Sequence, residues 1–245
     1  MQSEKEKDAM NVSLGESVNE FVQKHRTPIF VTGALIFLSL IAFIVVLSVM
    51  DLVRGKAISA VEDFNTRYET LLPSITEEYS EVDVAELVAG LEAFARGKSG
   101  YPAGKAWSIV ANIHGEQKDW PAAETAWAAA AKAARKTYLA PTAFFNAGAA
   151  AEEQGKTEEA IAYYTASLAS TADFPGAPRA QFAIGRLQET LGNTEAAIDA
   201  YRAVITGWSY DRIWPNLSRS RIVALEAGEA AETETEAEVA EEQDE

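Results

Sequence analysis

Residues 143–168, AFFNAGAAAEEQGKTEEAIAYYTASL, decide how this chain folds. Small and apolar residues recur at helical spacing on both sides of a glycine-bearing turn, EQGKT at 153–157, so the stretch predicts two short helices folded back on each other. The pattern returns 37 residues away in both directions. Ala123, Ala160 and Ala197 form one series, Trp127, Tyr164 and Tyr201 a second, and Gly148 and Gly185 stand one period apart. The flanking turns read EQKDW at 116–120 and LGNTE at 191–195. A period of this length means stacked helical hairpins, none of which can bury its apolar face alone. Such an array predicts a surface rather than a catalytic pocket.

Outward from the repeats, the 245 residues hold 48% hydrophobic side chains, enough for a core, yet one apolar stretch is not core. Ile29 to Met50 carries no charge and, as a helix, spans roughly 33 Å, the thickness of a bilayer's hydrocarbon. A cleavable signal peptide would have a shorter apolar region and a small-residue cleavage site, so the stretch predicts an uncleaved signal anchor. Lys5, Lys7, Lys24 and Arg26 precede it, and Arg54, Lys56 and Arg67 follow. That bias, with a long acidic domain after the anchor, favours a cytoplasmic head and an external domain, which in a bacterium is periplasmic.

The expected division is a head at 1–28, the transmembrane anchor at 29–50, a membrane-proximal helical stalk at 51–82, a repeat domain at 83–227 and an acidic tail at 228–245. In the head, Leu14, Val18, Phe21 and Val22 predict a short amphipathic helix. In the stalk, Ala57, Val61, Phe64, Tyr68 and Leu71 continue the helical pattern until Pro73 interrupts it. An amphipathic helix from Asp83 to Arg96 caps the first repeat, and Trp214 to Ala227 covers the last. The repeats occupy about 104–137, 141–174 and 178–211, separated by loops bearing Pro141, Pro175 and Pro178. The tail after Gly228 has almost no large apolar residue, which predicts disorder.

The repeated residues resemble the tetratricopeptide repeat family. The middle unit places Phe144, Ala147, Gly148, Gly155, Ala160, Tyr164 and Ser167 at its pattern positions, and the third places Ile184, Gly185, Gly192, Ala197, Tyr201 and Val204 there. The first unit keeps Trp107, Val110, Ala111, Ala123, Trp127 and Ala130, but has His114 at the tyrosine position and Lys118 where the turn glycine would stand. The resemblance implies an all-α chain, a single transmembrane helix followed by an α-solenoid of about three hairpins with flanking helices. The signature residues Trp107, Ala123, Trp127, Gly148, Ala160, Tyr164, Gly185, Ala197 and Tyr201 are then structural: small side chains let helices approach and aromatics fill the gaps.

The family's register also implies a ligand-facing set on the first helix of each hairpin. It comprises Lys105, Ser108, Asn112 and Glu116, then Phe145, Ala149, Glu152 and Glu153, then Arg179, Phe182, Arg186 and Glu189. Phe145 and Phe182 are the candidate anchors for a bound segment, since neither position needs a partner inside its hairpin. Some members clamp a peptide's terminal carboxylate with two asparagines and several cations. Asn112, Asn146 and Arg179 match that set, Ser108 and Ala183 depart from it, and Lys105 and Arg186 could compensate.

A formal charge of −16 argues against nucleic acid as a partner. Without cysteine there is neither disulfide nor thiolate metal site, and His25 and His114 form no metal-binding pair. No phosphate loop or nucleophile elbow is present, so neither cofactor nor enzymatic activity is expected. The whole resembles anchored envelope proteins with an external repeat domain, a group that includes the ancillary subunit of the bacterial Sec translocon and anchored repeat proteins of spirochaetes. The expected role is a membrane-tethered, protein-binding module of the cell envelope, chaperone-like near the export machinery. The alternative is a self-associating scaffold without a peptide client.

Overall fold

The computed structural model describes residues 19, 21–75, 81–170 and 174–243, and among these the regular structure is all helix. Nine helices carry the description: α1 Arg26–Ile75, α2 Glu81–Arg96, α3 Tyr101–Glu116, α4 Trp120–Ala133, α5 Leu139–Glu152, α6 Thr157–Ser170, α7 Ala177–Thr190, α8 Thr194–Gly207 and α9 Trp214–Gln243. The chain divides into two compact units, Met1–Lys56 and Ala57–Glu245.

In the first unit, α1 begins beside Pro28, where a helix has no N–H to lose. Its apolar residues from Ile29 to Met50 are all exposed, and the window that qualifies it as a membrane span is wholly unburied. An uncharged helical surface of this length is long and apolar enough to cross a bilayer. Of the head's expected amphipathic helix, Leu14 and Val18 lie outside the described residues, while Phe21 and Val22 are helical and exposed.

The second unit starts inside α1. Where the sequence suggests a stalk, Ala57 and Val61 are buried, and Phe64, Tyr68 and Leu71 pack against a core shared with α2, α3, α4 and α5. Spacings of three and four residues put this stripe on one side of the helix. The helix also runs two residues past Pro73 before ending.

Three hairpins follow: α3 with α4, α5 with α6, α7 with α8. All three turn in the same way. Lys118, Gly155 and Gly192 occupy equivalent positions with φ of 58°, 71° and 74°. The next residue in each case, Asp119, Lys156 or Asn193, donates its N–H five residues back, to His114, Ala151 or Gln188. This double-bonded ending satisfies the last carbonyls of the first helix and reverses the chain. Pro141 and Pro178, expected in loops, stand instead in the first turns of α5 and α7, where the missing N–H costs nothing.

Inside the hairpins, Ala123, Ala160 and Ala197 are buried, as are Trp127, Tyr164 and Tyr201. A Cβ added to Gly148 would lie 2.9 Å from the Tyr164 ring, and one added to Gly185 would lie 2.6 Å from that of Tyr201. The glycines therefore let each ring lie flat on the opposing backbone. A second core of Ala151, Ala160, Tyr164, Phe174, Ala177, Ala180, Ala183 and Leu187 joins the middle hairpin to the last. α9 packs on α8 and continues to Gln243, through residues 228–243 where the sequence suggests disorder. Alanine and glutamate after Gly228 are strong helix formers with no proline among them, so the backbone continues as helix where there is little apolar surface to bury.

Candidate protein-binding surface

The ligand-facing set divides into residues that the solenoid uses for itself and residues that it leaves free. Phe145 belongs to the first group. Its ring lies 5.2 Å from that of Tyr164, 6.1 Å from that of Phe174, and 5.0 Å beneath the guanidinium of Arg179. Phe182 repeats the arrangement, 5.2 Å from Tyr201 and 5.3 Å from Trp214. The expectation that these phenylalanines lack partners within their hairpins is thus corrected. Each covers the buried tyrosine of its own second helix, and a later aromatic, Phe174 in the connection or Trp214 at the start of α9, closes over it.

Three charged members, Glu152, Arg186 and Glu189, are engaged in a similar way. Tyr164 Oη donates to Glu152 at 2.9 Å, and Arg186, from the next hairpin, donates to the other oxygen of that carboxylate. One period along, Tyr201 donates to Glu189, and Arg221 of α9 binds the same carboxylate through Nε at 3.1 Å and through a second guanidinium nitrogen. Burial pushes both phenols up, and the carboxylate beside each adds to the rise. Burial also pushes the Glu189 carboxyl up, but hydrogen bonds from Arg221 and Tyr201 outweigh it and hold it below the ordinary range. Glu124 forms a third knot between hairpins, accepting from Gln154 at 2.8 Å, Lys156 at 2.9 Å and Tyr163 at 3.2 Å. Burial raises this carboxyl too, and its three donors outweigh burial, leaving it below its ordinary value.

Ser108 is buried and donates to the Gly104 carbonyl at 2.8 Å, and Ala183 is buried, so neither faces a ligand. Asn112, Glu116, Glu153 and Arg179 are exposed, and Lys105, Asn146 and Ala149 are half-buried. The side chains of Lys105, Asn112 and Asn146 make no hydrogen bond or ion pair among the described residues. Of the set proposed to hold a carboxylate, Asn112, Asn146, Arg179 and Lys105 remain available, and Arg186 is already paired with Glu152. Sequence reasoning missed Arg221, Phe174 and Trp214, the residues that close each tyrosine site. The tyrosine twelve positions after each glutamate, at 152/164 and 189/201, was the one periodic trace of these sites. Among the described residues, no group of three or more histidines, aspartates and glutamates could hold a metal ion.

Comparison with known proteins agrees with this geometry. A tetratricopeptide repeat family profile matches residues 111–173 and 168–212. A TPR repeat-containing protein of Treponema pallidum (strain Nichols) is 32% identical over 148 residues, 58% of this chain and 59% of that protein. The match therefore spans less than two thirds of the relative's length. Among solved structures, the nearly identical TPR-like repeats of a Podosopora anserina protein described as a kinesin light chain superpose with a TM-score of 0.51 over 72% of this chain and 92% of that one, at 11% identity. A point variant of those repeats also gives 0.51, over 74% and 93%, at 10% identity. At that identity the likeness is one of fold. Residues 111–212 thus match the tetratricopeptide repeat family, in an all-helical array downstream of an N-terminal helix long and apolar enough to span a membrane.

Proposed function

We propose that this protein is a membrane-tethered module of the bacterial cell envelope that binds protein segments through its repeat domain, close to exported chains or the machinery that moves them. The observation that carries the reading is a contrast within one chain. The apolar stretch of α1 is entirely unburied, while the repeat unit closes its own cores and ties its hairpins together with Glu124, Glu152 and Glu189. In this reading the task of the apolar stretch is location. Tethering raises the effective concentration of partners in or beside the bilayer, so weak contacts suffice. Lys105, Asn112, Asn146 and Arg179, the last stacked on Phe145 but in no ion pair among the described residues, offer a cation and amide surface suited to a peptide's carbonyls or terminal carboxylate.

Photoreactive residues at Asn112 and Arg179 in living cells test this reading. Crosslinks to exported chains or translocon subunits are expected, and crosslinks only to the protein itself would overturn it. Because the chain has no cysteine, a single one introduced at the exposed Thr142 reports orientation. Labelling by a membrane-impermeant maleimide in intact spheroplasts is the expected outcome for a periplasmic domain.

A second reading, a self-associating scaffold, draws on the C-terminal end. There Tyr210 and Ile213 are 81% and 63% exposed, with Leu217 and Val223 beside them on α9. Exposed apolar groups gathered at one end of a solenoid suit a contact between copies. Sedimentation of the full chain in detergent at increasing concentration distinguishes the two.

A further inference from the structure

A cleft of about 530 Å³ opens between α2 and the first hairpin, and none of the ligand-facing candidates lines it. Its wall includes Trp107 and His114 of α3 and Ala126 of α4, with Glu92 and Arg96 of α2 and Asp119 of the turn at its rim. The second hairpin shows what belongs in such a place. One period after Ala126 stands Tyr163, whose ring packs between the middle hairpin and α4, and whose hydroxyl donates to Glu124 beside Lys156. In the first hairpin alanine replaces that tyrosine, and α2 takes the place that α4 holds for the second. Three wall positions are larger than their counterparts, Trp107 for Phe144, Val110 for Ala147 and His114 for Ala151, yet the cleft remains.

We infer that this cleft is a socket for a tyrosine side chain, flanked by basic residues, on a partner polypeptide. This goes beyond the general protein-binding role and rests on it. Two observations specify the occupant. The repeat's own template for the position is a phenol donating to a carboxylate with a lysine alongside. The rim carries two carboxylates, Glu92 and Asp119, against the single cation Arg96, which already binds Glu92 at 2.5 Å and lies 6.0 Å over Trp107.

The test uses the full chain in nanodiscs and saturation-transfer NMR. The peptides are acetyl-Lys-Tyr-Lys-amide, acetyl-Lys-Leu-Lys-amide and acetyl-Glu-Tyr-Glu-amide. Transfer to the tyrosine ring of the first is expected, at least about fivefold above the other two, and lost on Ala126→Tyr, which fills the socket from within. Should Ala126→Tyr melt early, Thr125→Trp at the exposed rim carries the same comparison. Equal transfer to the leucine peptide, no transfer to any peptide, or full retention in the folded variants would overturn the socket. Crosslinks at Asn112 and Arg179 that persist after such a failure would leave the general binding role standing. Self-association abolished by both Tyr210→Ala and Ala126→Tyr would put a second copy in the cleft and overturn the assignment to another partner.

Discussion

Arg186 on α7 donates to the Glu152 carboxylate at the end of α5, and in doing so links two successive hairpins through a group that also holds the buried Tyr164. The two halves of this contact differ in energy. The ion pair is half-exposed on its arginine side, so Arg186→Ala is expected to cost only about 0.2 to 1 kcal/mol. Glu152→Ala also strips a buried phenol of its acceptor, a penalty of about 1 to 3 kcal/mol more. Urea unfolding of the full chain in detergent is expected to rank Glu152→Ala clearly below Arg186→Ala. Adding Tyr164→Phe is expected to recover part of the difference, because the orphaned hydroxyl is then gone.

Gly148 and Gly185 set two opposed effects against each other. Alanine at a helical glycine gains about 1 kcal/mol in propensity, whereas forcing a methyl group into a packed ring costs about 1 to 3 kcal/mol. The rings cannot slide away, since each hydroxyl is held by a glutamate and each face is covered by a phenylalanine. The shorter approach at Gly185, 2.6 Å against 2.9 Å, decides the order. Gly185→Ala is expected to lower the melting temperature more than Gly148→Ala, as followed by helical ellipticity.

The hairpins were legible because their determinants recur at a fixed interval. Ala160 and its equivalents, the aromatics at 127, 164 and 201 and the turn residues at 118, 155 and 192 face the same local geometry in every unit, so packing selects the same or a similar residue, Trp127 and Lys118 being the departures. The contacts that close the tyrosine sites were not legible. Phe174 and Trp214 follow their tyrosines at different intervals, ten and thirteen residues, and Arg221 stands 35 residues after Arg186, out of register with the period. Glu152, Arg186 and Glu189 looked like ligand-facing charges for the same reason, since only three dimensions show that they bind one another and their neighbours. The start of the repeat unit was hidden too, because a continuous helix carries the apolar anchor and the core stripe from Ala57 onward without a break in the chain.

Stability is expected to depend on pH on the acid side through Glu124 and Glu189. Burial raises both carboxyls, but their hydrogen-bond donors outweigh it, so each sits below its ordinary value of 4.5 when folded. A depressed carboxyl contributes stability that is fully present above the unfolded value and lost as pH falls through the folded one. Chemical unfolding should therefore become easier below about pH 4.5, with little change between pH 5 and 8 from these groups. The combined variant Glu124→Gln, Glu189→Gln is expected to be less stable at neutral pH but to lose less on acidification. A parallel decline in both proteins would show that other carboxyls govern the acid limb.

Lys118 holds the backbone conformation that its equivalents assign to glycine. At φ 58° it is the single described residue other than glycine in the left-handed region, where the side chain of an L-residue crowds the neighbouring carbonyl at a cost of about 1 kcal/mol. The turn keeps this geometry because the Lys118 and Asp119 N–H groups end α3 on the carbonyls of Gly115 and His114, while the Asp119 side chain caps α4 through Ala122 N at 3.2 Å. Lys118→Gly removes the strain and leaves those bonds in place, although glycine's freedom in the unfolded chain offsets part of the gain. A net stabilisation of about 0.5 kcal/mol is expected, read as a small rise in the urea midpoint. Gly155→Ala, which introduces the same strain at the equivalent turn, is expected to shift the midpoint the other way by about 1 kcal/mol. Were both substitutions to move it in the same direction, the equivalence of the three turns would fail.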